Sequence, residues 1–267
     1  MENHTNKTYQ ERMNKTALSK FGAIEHLLDK NVKLLDFGSG FSPEFIEQVK
    51  QTGALYFAYD ISPIVQEQLR ENNIAFLPKH ALENVENEFD VIYLSSVFHE
   101  LMSYLSRPER TKTFAMLDKA LKPNGTLIIR DWGPGDVSSR PQTIEVASEA
   151  VDEVSTWVKA LIKQSVINEP YIYKAKPCRY KHAQKHLYEI IFHTVWGLGS
   201  LERESKESYA IDSHLINKWI CRPHGYTITQ THKEFDESYL PYLQKYFKLD
   251  TIPWPTKIIY ELKKNEG

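Results

Sequence analysis

Residues 32–43 read Val-Lys-Leu-Leu-Asp-Phe-Gly-Ser-Gly-Phe-Ser-Pro, and this stretch decides the fold. Its first half is a short, mainly apolar run that predicts a buried strand. Gly38 and Gly40 follow, and glycine lets the backbone turn tightly and approach a ligand closely. Ser42 and Pro43 then predict a helix start, with the serine as N-cap and the proline in the first turn. A strand, a glycine turn and a capped helix in this order are typical of a ligand site in an α/β protein.

The alternation of strand and helix continues on both sides of this stretch. Further apolar runs predict strands, with helical periodicity or helix-start signals between most of them, at 54–59, 74–77, 89–94 and 126–130. Such alternation produces right-handed crossovers and a mostly parallel sheet. The runs are apolar throughout, as expected when helices cover both faces of the sheet. Two late strands, at 226–231 and 256–262, complete the predicted sheet.

The chain divides into three predicted regions. Residues 1–22 form an N-terminal arm that leads into a first helix, and residues 23–131 with 211–267 form the core. The regular alternation stops at Gly133-Pro134-Gly135, and helical stripes of apolar residues dominate the following segment. We therefore expect residues 132–210 to be a mainly helical insertion after the fifth strand.

The glycine turn and the end of the second strand predict a nucleoside site. In an open parallel sheet, ligands bind beyond the carboxyl ends of the strands. Asp60 ends the second predicted strand, where its carboxylate can accept hydrogen bonds from ribose hydroxyls. A dinucleotide site would need a third glycine at the position of Pro43, so the dinucleotide fingerprint is absent.

Several motifs together resemble those of the class I, Rossmann-like methyltransferases that depend on S-adenosyl-L-methionine. Asp36, Gly38 and Gly40 match the acid and the first two glycines of the family's first motif, and Ser42 replaces the third glycine. Residues 95–101 resemble the fourth motif, and residues 121–130 resemble the entry to the fifth strand. The resemblance covers residues 23–131 well and the last two strands more loosely.

The resemblance implies a doubly wound α/β fold with a mostly parallel seven-stranded sheet, whose seventh strand is reversed and lies between the fifth and sixth. It implies S-adenosyl-L-methionine as cofactor, with the methionine part near the glycine turn and the adenine near residues 61 and 79–82. In the N-terminal arm, an arginine could pair with the donor's carboxylate. The candidate cofactor-binding residues are Asp36, Gly38, Ser39, Gly40, Phe41, Asp60, Ile61, His80, Ala81, Ser95 and Arg12.

The candidate catalytic residues are His99, Glu100 and Asp131, which follow the fourth and fifth predicted strands. Methyl transfer requires an acceptor held in line with the methyl group and, for many acceptors, removal of a proton. An imidazole titrates near neutral pH, so His99 is the candidate base. Glu100 could orient His99 or bind the acceptor, and Asp131 could contact the acceptor.

Three functions remain open at this point. The first is methyl transfer to an oxygen or nitrogen of a small-molecule acceptor, with the insertion as a lid. The second is methylation of tRNA or rRNA, because basic and aromatic side chains interleave over residues 170–188 and suit phosphate contact and base stacking. The third is a donor-binding but catalytically silent regulatory or scaffold protein.

Composition limits the other possibilities. The chain has 267 residues, a formal net charge of -2 and two cysteines, which favours a cytoplasmic protein with reduced thiols. We find no motif for DNA binding and no apolar run long enough to span a membrane. The pairs Cys178/His182 and Cys221/His224 lack the spacing of a standard zinc module, so no metal is expected. The sequence leaves the oligomeric state open.

Overall fold

Two sheets organise the chain, whose computed structural model describes residues 16–135, 140–173 and 177–265. The larger sheet has six strands in the order β2-β1-β3-β4-β9-β8, and the smaller has three in the order β5-β7-β6. The strands are β1 (Lys33–Phe37), β2 (Leu55–Tyr59), β3 (Phe89–Ser95), β4 (Leu121–Asp131), β5 (Pro141–Glu145), β6 (Tyr171–Tyr173), β7 (Arg179–Ala183), β8 (Tyr226–Glu234) and β9 (Lys257–Lys264).

The larger sheet is mostly parallel, as predicted. β1 pairs in parallel with β2 and β3, and β3 pairs in parallel with β4. β9 runs antiparallel to both β4 and β8, so the last strand of the chain lies reversed between its two neighbours. The predicted α/β class and the reversed strand are therefore present.

The segment expected to form a third strand, at 74–77, makes only one parallel bridge, between Phe76 and Ala58 at the edge of β2. Asn73 adopts a left-handed conformation just before it, with φ of 54°. Pro78 follows directly and has no N–H to donate to a ladder. The extended run is therefore too short to pair as a strand, and the sheet has six strands plus this bridge rather than seven full strands.

Helices cover both faces of the larger sheet. On one face, Ile24, Phe45 and Ile46 pack against strand residues that include Tyr93. On the other face, Phe98 and other helical side chains pack against the opposite side of the same strands. The described α-helices are α1 (Ala17–Gly22), α2 (Pro43–Gln51), α3 (Pro63–Glu71), α4 (Lys79–Leu82), α5 (Phe98–Tyr104), α6 (Arg107–Ala120), α7 (Val151–Lys163), α8 (Gln184–Thr194), α9 (Leu201–Glu204), α10 (Ser213–Ile216), α11 (Arg222–His224) and α12 (Leu240–Leu243).

The insertion combines helices with a small sheet that the sequence-based prediction did not include. It contains the antiparallel sheet β5-β7-β6 as well as α7 and α8. In β7, Tyr180 is buried while Arg179 and Lys181 are exposed. This alternation has the period of two that a half-buried strand requires. The segment contains no continuous apolar run, because basic residues occupy the exposed positions, so a search for apolar runs does not predict this strand.

The insertion has its own apolar core, which includes Trp132, Val154 and Ile191. Later residues complete this core, because Phe247 and Trp254 belong to the same cluster. Part of the segment 211–267, which the sequence assigns to the larger sheet, therefore packs with the insertion. Among the described residues, no helix combines the length and the apolar character that a membrane crossing requires.

Candidate active site

The glycine turn after β1 has the backbone geometry that its sequence predicts. Gly38 and Gly40 adopt left-handed conformations, with φ of 72° and 57°. The N–H groups of Gly38 and Ser39 donate to the carbonyl oxygen of Tyr59, at 2.8 and 3.1 Å. A Cβ atom on Gly38 would lie 2.5 Å from Cγ2 of Val97. The turn is thus wedged between the ends of β2 and β3, where only glycine fits.

Asp60 closes this turn at the end of β2. Its Oδ2 accepts a hydrogen bond from the Gly40 N–H at 2.8 Å, and its Oδ1 accepts one from the Ser62 N–H at 2.8 Å. A carboxylate oxygen has two lone-pair positions, so each keeps one for a further donor. The carboxylate therefore fits the diol of a ribose, and the backbone fixes its orientation.

Ser42 provides a second observation that fits a bound nucleoside. Its hydroxyl is buried and has no hydrogen-bond partner among the described residues. A buried hydroxyl normally has a partner, so a ligand in the turn would satisfy it. Ser39 is also buried, and its hydroxyl donates to the carbonyl of Gly40 at 3.0 Å. Phe41 is half-buried beside them.

Asp36 is buried beneath the turn, and its neighbour Lys20 was not predicted. Tyr56 donates its hydroxyl proton to Asp36 Oδ2 at 2.7 Å. Burial raises the pKa of Asp36 to about 6, although the charge of Lys20 opposes this shift. Burial also lowers the pKa of Lys20 to about 8. The apolar residues Leu18 and Phe21 suggest a different buried face for this helix, and Leu18 is in fact 74% exposed, so the burial of Lys20 was not readable from the sequence.

The residues predicted for the adenine lie further out along the same edge. Ile61 is 79% exposed, His80 is exposed and Ala81 is half-buried at α4. Ser95 is buried at the end of β3. Arg12 lies outside the described residues. The structure thus brings Ser95 and the glycine turn to one edge of the sheet and leaves Ile61 open to solvent on its rim.

The three predicted catalytic residues have different environments. His99 and Asp131 form a buried pair, in which Nδ1 of His99 lies 2.7 Å from Oδ1 of Asp131. The backbone N–H of His99 also donates to the other oxygen of Asp131, at 2.9 Å. Nε2 of His99 lies 3.3 Å from Oε2 of Glu207, which comes from the segment after α9. Glu100 is exposed and stays a predicted acceptor contact.

The surroundings of His99 favour the imidazolium. Burial alone would lower the pKa of His99, but the Asp131 charge and hydrogen bonds to Asp131 and Glu207 outweigh it and raise the pKa to about 10. The charge of His99 in turn helps to hold the pKa values of Asp131 and Glu207 below their usual range, against the effect of burial. Both ring nitrogens are occupied, so this arrangement leaves no lone pair for a proton from an acceptor. The pair suits positioning better than the predicted role of His99 as a base.

Glu207 could not be assigned from its local sequence, because it lies in a run of mixed charge. It connects the site to the insertion together with Tyr209. The Tyr209 ring stacks on Trp132 at 5.1 Å between centroids and on His193 at 4.0 Å, and its edge meets His99 at 5.4 Å. The ends of β3 and β4 are therefore covered by aromatic side chains that are shared with the insertion.

The basic segment 170–188 has a structural role in part. Arg179 forms an ion pair with Glu145 at 2.9 Å, and Tyr180 and Tyr188 are buried. These two rings cannot stack on bases in this arrangement. Residues 174–176 lie outside the described part of the chain. Within the described ranges, no group of three or more His, Cys, Asp or Glu is arranged to hold a metal.

The fold and the site together define a class of protein. Three features are those of a class I methyltransferase. They are the mostly parallel sheet with a reversed strand next to its edge, the glycine turn after β1 and the acid after β2. A family model described as a methyltransferase domain matches residues 7–169, which is more than half of the chain. The chain belongs to this methyltransferase family. The predicted superfamily, the methyltransferase class and S-adenosyl-L-methionine as cofactor are confirmed.

Solved structures show the same fold at low sequence identity. An S-adenosylmethionine-dependent methyltransferase from Archaeoglobus fulgidus is 11% identical, with a TM-score of 0.54 and coverage of 97% of this chain and 99% of that chain. One from Mesorhizobium loti is 15% identical, with a TM-score of 0.51 and coverage of 92% and 97%.

A relative of known activity matches part of the chain. The phosphoethanolamine N-methyltransferase of Plasmodium falciparum is 33% identical over 112 residues, which are 39% of this chain and 41% of that protein. The chain therefore spans less than half of that relative's length.

Proposed function

We propose that this protein transfers a methyl group from S-adenosyl-L-methionine to a nitrogen or oxygen of a small-molecule acceptor, with the insertion as lid. The carrying observation is the position of His99 and Asp131. They lie at the ends of β3 and β4, at the same edge of the sheet as the donor turn, where the rings of Tyr209 and Trp132, shared with the insertion, cover the strand ends. A covered site of this kind admits a small acceptor more readily than a nucleic acid strand.

The residues of the glycine turn would hold the donor. Gly38 and Gly40 allow close approach of its methionine part, the Asp60 carboxylate has lone pairs for both ribose hydroxyls, and the Ser42 hydroxyl is free to bond to it. The donor supplies an electrophilic methyl group. The protein's contribution is to place the acceptor atom in line with that group and to exclude water.

The charges around the site favour an amine as acceptor. Asp131 and Glu207 are buried carboxylates that share one imidazolium, His99, so the group keeps an excess of negative charge. Glu100 follows His99 in the chain, and desolvation of its carboxyl raises the pKa of Glu100 to about 7, so it adds negative charge above that pH. Carboxylates attract an ammonium group and orient it by charge-assisted hydrogen bonds. The partial match to a phosphoethanolamine N-methyltransferase supports the same choice. Phosphoethanolamine and ethanolamine are therefore the first acceptors to test.

Two measurements test this proposal. Calorimetric titration with S-adenosylhomocysteine should show binding that Gly38→Val abolishes. Gly199→Ala is the matched control, because a Cβ at Gly199 meets nothing within 4 Å. Turnover is then measured as S-adenosylhomocysteine release with a panel of amines, phenols, carboxylates and tRNA.

Each outcome has a defined meaning. Donor binding with turnover of an amine, a phenol or a carboxylate supports the proposal, and turnover of an amine also supports the choice of acceptor. Turnover of tRNA alone replaces the proposal with the RNA alternative. Donor binding without turnover on any acceptor class favours a donor-binding, catalytically silent protein. A chain that does not bind the donor or its product contradicts the proposal altogether.

A further inference from the structure

Lys257 is a buried cation at the donor edge that the sequence did not single out. It begins β9, and because β9 runs antiparallel to β4, this start lies beside the end of β4, where Ile258 pairs with Asp131. Its Nζ donates to the Ser96 hydroxyl oxygen at 2.8 Å and lies 3.9 Å from the centroid of the Trp132 ring. The side chain thus reaches the residues that cover the proposed acceptor site.

The charged groups around Lys257 leave it without a direct ionic partner. Among the described residues it forms no ion pair, because Asp131 on β4 is paired with His99, and Glu234 on β8 is paired with Arg130. Arg130 on β4 and Lys20 on α1 add positive charge nearby. Burial lowers the pKa of Lys257 to about 7, while the Asp131 charge opposes this shift. The amine is therefore partly neutral at physiological pH, and a neutral amine can accept a proton.

Ser96 connects this amine to the donor turn. It is half-buried and adopts a left-handed conformation with φ of 58°, which its N–H stabilises by donating to the Arg130 carbonyl at 2.8 Å. The next residue, Val97, is the one against which Gly38 is wedged. Ser96 therefore contacts the Lys257 amine through its hydroxyl and is the chain neighbour of the residue that packs against the donor turn.

A group that accepts a proton is required if the acceptor is an ammonium or a hydroxyl, and His99 has both nitrogens occupied. We propose that Lys257 acts as a positioning and proton-accepting residue that takes up, through the Ser96 hydroxyl, the proton that the acceptor loses in methyl transfer. This inference rests on the proposed function and adds the route of the proton to it.

The step balances as follows. A hydroxyl acceptor attacks with an oxygen lone pair, whereas an ammonium has no lone pair and first gives up a proton to the Ser96 oxygen. The acceptor's lone pair then forms a bond to the methyl carbon while the carbon–sulfur bond breaks and its electron pair stays on sulfur. The acceptor's proton passes to the Ser96 oxygen as the Ser96 hydroxyl proton passes to the Nζ lone pair. Lys257 becomes an ammonium, whose charge the nearby Asp131 and the face of Trp132 stabilise. The proton returns to solvent when the product leaves.

The first test needs no acceptor. In protein labelled with carbon-13 at the lysine ε positions, the Lys257 signal is assigned by its absence in Lys257→Arg. Its chemical shift should titrate with a midpoint near pH 7. A midpoint above about 9.5, close to the ordinary lysine value, would overturn the proposal, since the side chain would then remain an ammonium.

The second test uses the pH dependence of turnover, with phosphoethanolamine or whichever acceptor in the panel is methylated. Wild-type turnover should rise with pH through about 7, because the reaction needs the neutral amine. Lys257→Met and Lys257→Arg should lower kcat by a factor of about 100 or more and remove this inflection. Lys263→Met, an exposed position near the other end of β9, is the matched control and should keep the wild-type profile.

Ser96 offers a pair of variants that separates the proton route from folding. Ser96→Ala and Ser96→Gly both remove the hydroxyl, but glycine also suits the left-handed backbone at this position. Both should lower kcat to a similar extent, and the glycine variant should unfold no more easily than the alanine variant. If donor binding and turnover persist unchanged in these and in the Lys257 variants, the proton route is refuted while the methyltransferase function stands.

Discussion

Gly38→Ala offers the sharpest test of the donor turn, because two separate costs can be read from the structure. A Cβ atom on a residue with φ of 72° costs about 1–2 kcal/mol in backbone strain. The same atom would lie 2.5 Å from Cγ2 and 2.9 Å from Cβ of Val97, and such overpacking costs a further 1–3 kcal/mol or so. We therefore expect the free energy of unfolding to fall by about 2–5 kcal/mol.

The contact with Val97 makes the two costs separable in a double-mutant cycle. Val97→Ala removes the methyl groups that the new Cβ would meet, so the double variant should lose less stability than the two single variants added together. We expect a coupling of about 1–3 kcal/mol in urea unfolding. Affinity for S-adenosylhomocysteine should recover only in part, because the backbone strain at residue 38 remains.

Two results would refute this reasoning. One is a Gly38→Ala variant that unfolds within about 0.5 kcal/mol of the wild type and binds S-adenosylhomocysteine equally well. The other is strict additivity with Val97→Ala, which would show that the two side chains do not meet. Gly199→Ala, which places a methyl group in open space, reports the cost of an alanine without contact.

Three further predictions concern single hydrogen-bonded groups. Asp60→Asn replaces one acceptor oxygen by an NH2 group, which cannot accept hydrogen bonds from the backbone N–H or from a ribose hydroxyl. Calorimetry should therefore show S-adenosylhomocysteine binding weakened by a factor of about 10–100, and unchanged affinity would contradict the ribose assignment. The raised pKa of His99, about 10, stabilises the folded protein fully below pH about 6.5, and this stabilisation is lost as the pH rises through 10. Glu207→Gln should therefore reduce the loss of unfolding free energy between pH 7 and 10, measured by urea unfolding. If the variant loses as much unfolding free energy over this range as the wild type, Glu207 does not stabilise the His99 imidazolium. The buried Glu189 carboxylate accepts hydrogen bonds from the Ser208 hydroxyl and from the N–H groups of residues 209 and 210, at 2.7–3.0 Å. Glu189→Gln should therefore lower the free energy of unfolding, measured in urea, by about 2–4 kcal/mol. A change within experimental error would show that these contacts are not formed.

Local sequence was sufficient for the parts of the fold that depend on short patterns. The strands at β1 and β3 are apolar runs covered on both faces, and the glycine turn and Asp60 lie at the ends of consecutive strands. These features follow from periodicity and from the rule that ligands bind at the carboxyl ends of parallel strands. The backbone of the donor turn and the position of Asp60 were therefore predictable from local sequence, and the residue-by-residue assignment of the donor site stays a prediction.

The acceptor side was not predictable in the same way, because its residues meet only through long-range contacts. Glu207 approaches His99 from more than a hundred positions further along the chain, and Lys257 reaches Ser96 from the last strand. A charged residue in a mixed run gives no local sign that it will be buried. The insertion's sheet was missed for a related reason, since the buried Tyr180 alternates with basic residues that read as a solvated face.

The buried carboxylate of Glu189 has a consequence for how this protein could change in evolution. It holds the backbone of residues 208–210, and Tyr209 in that stretch stacks between Trp132 from the core strand's end and His193 from α8. Both sides of these contacts lie within residues 132–210, so exchanging that block would keep them together. The contacts that would lose a partner are those that cross to the core, from Glu207 to His99 and Tyr104 and from Ser208 to Ser103. New substrate preferences should therefore arise more readily by point substitution of the residues that face the acceptor than by chimeras that exchange residues 132–210 as a block.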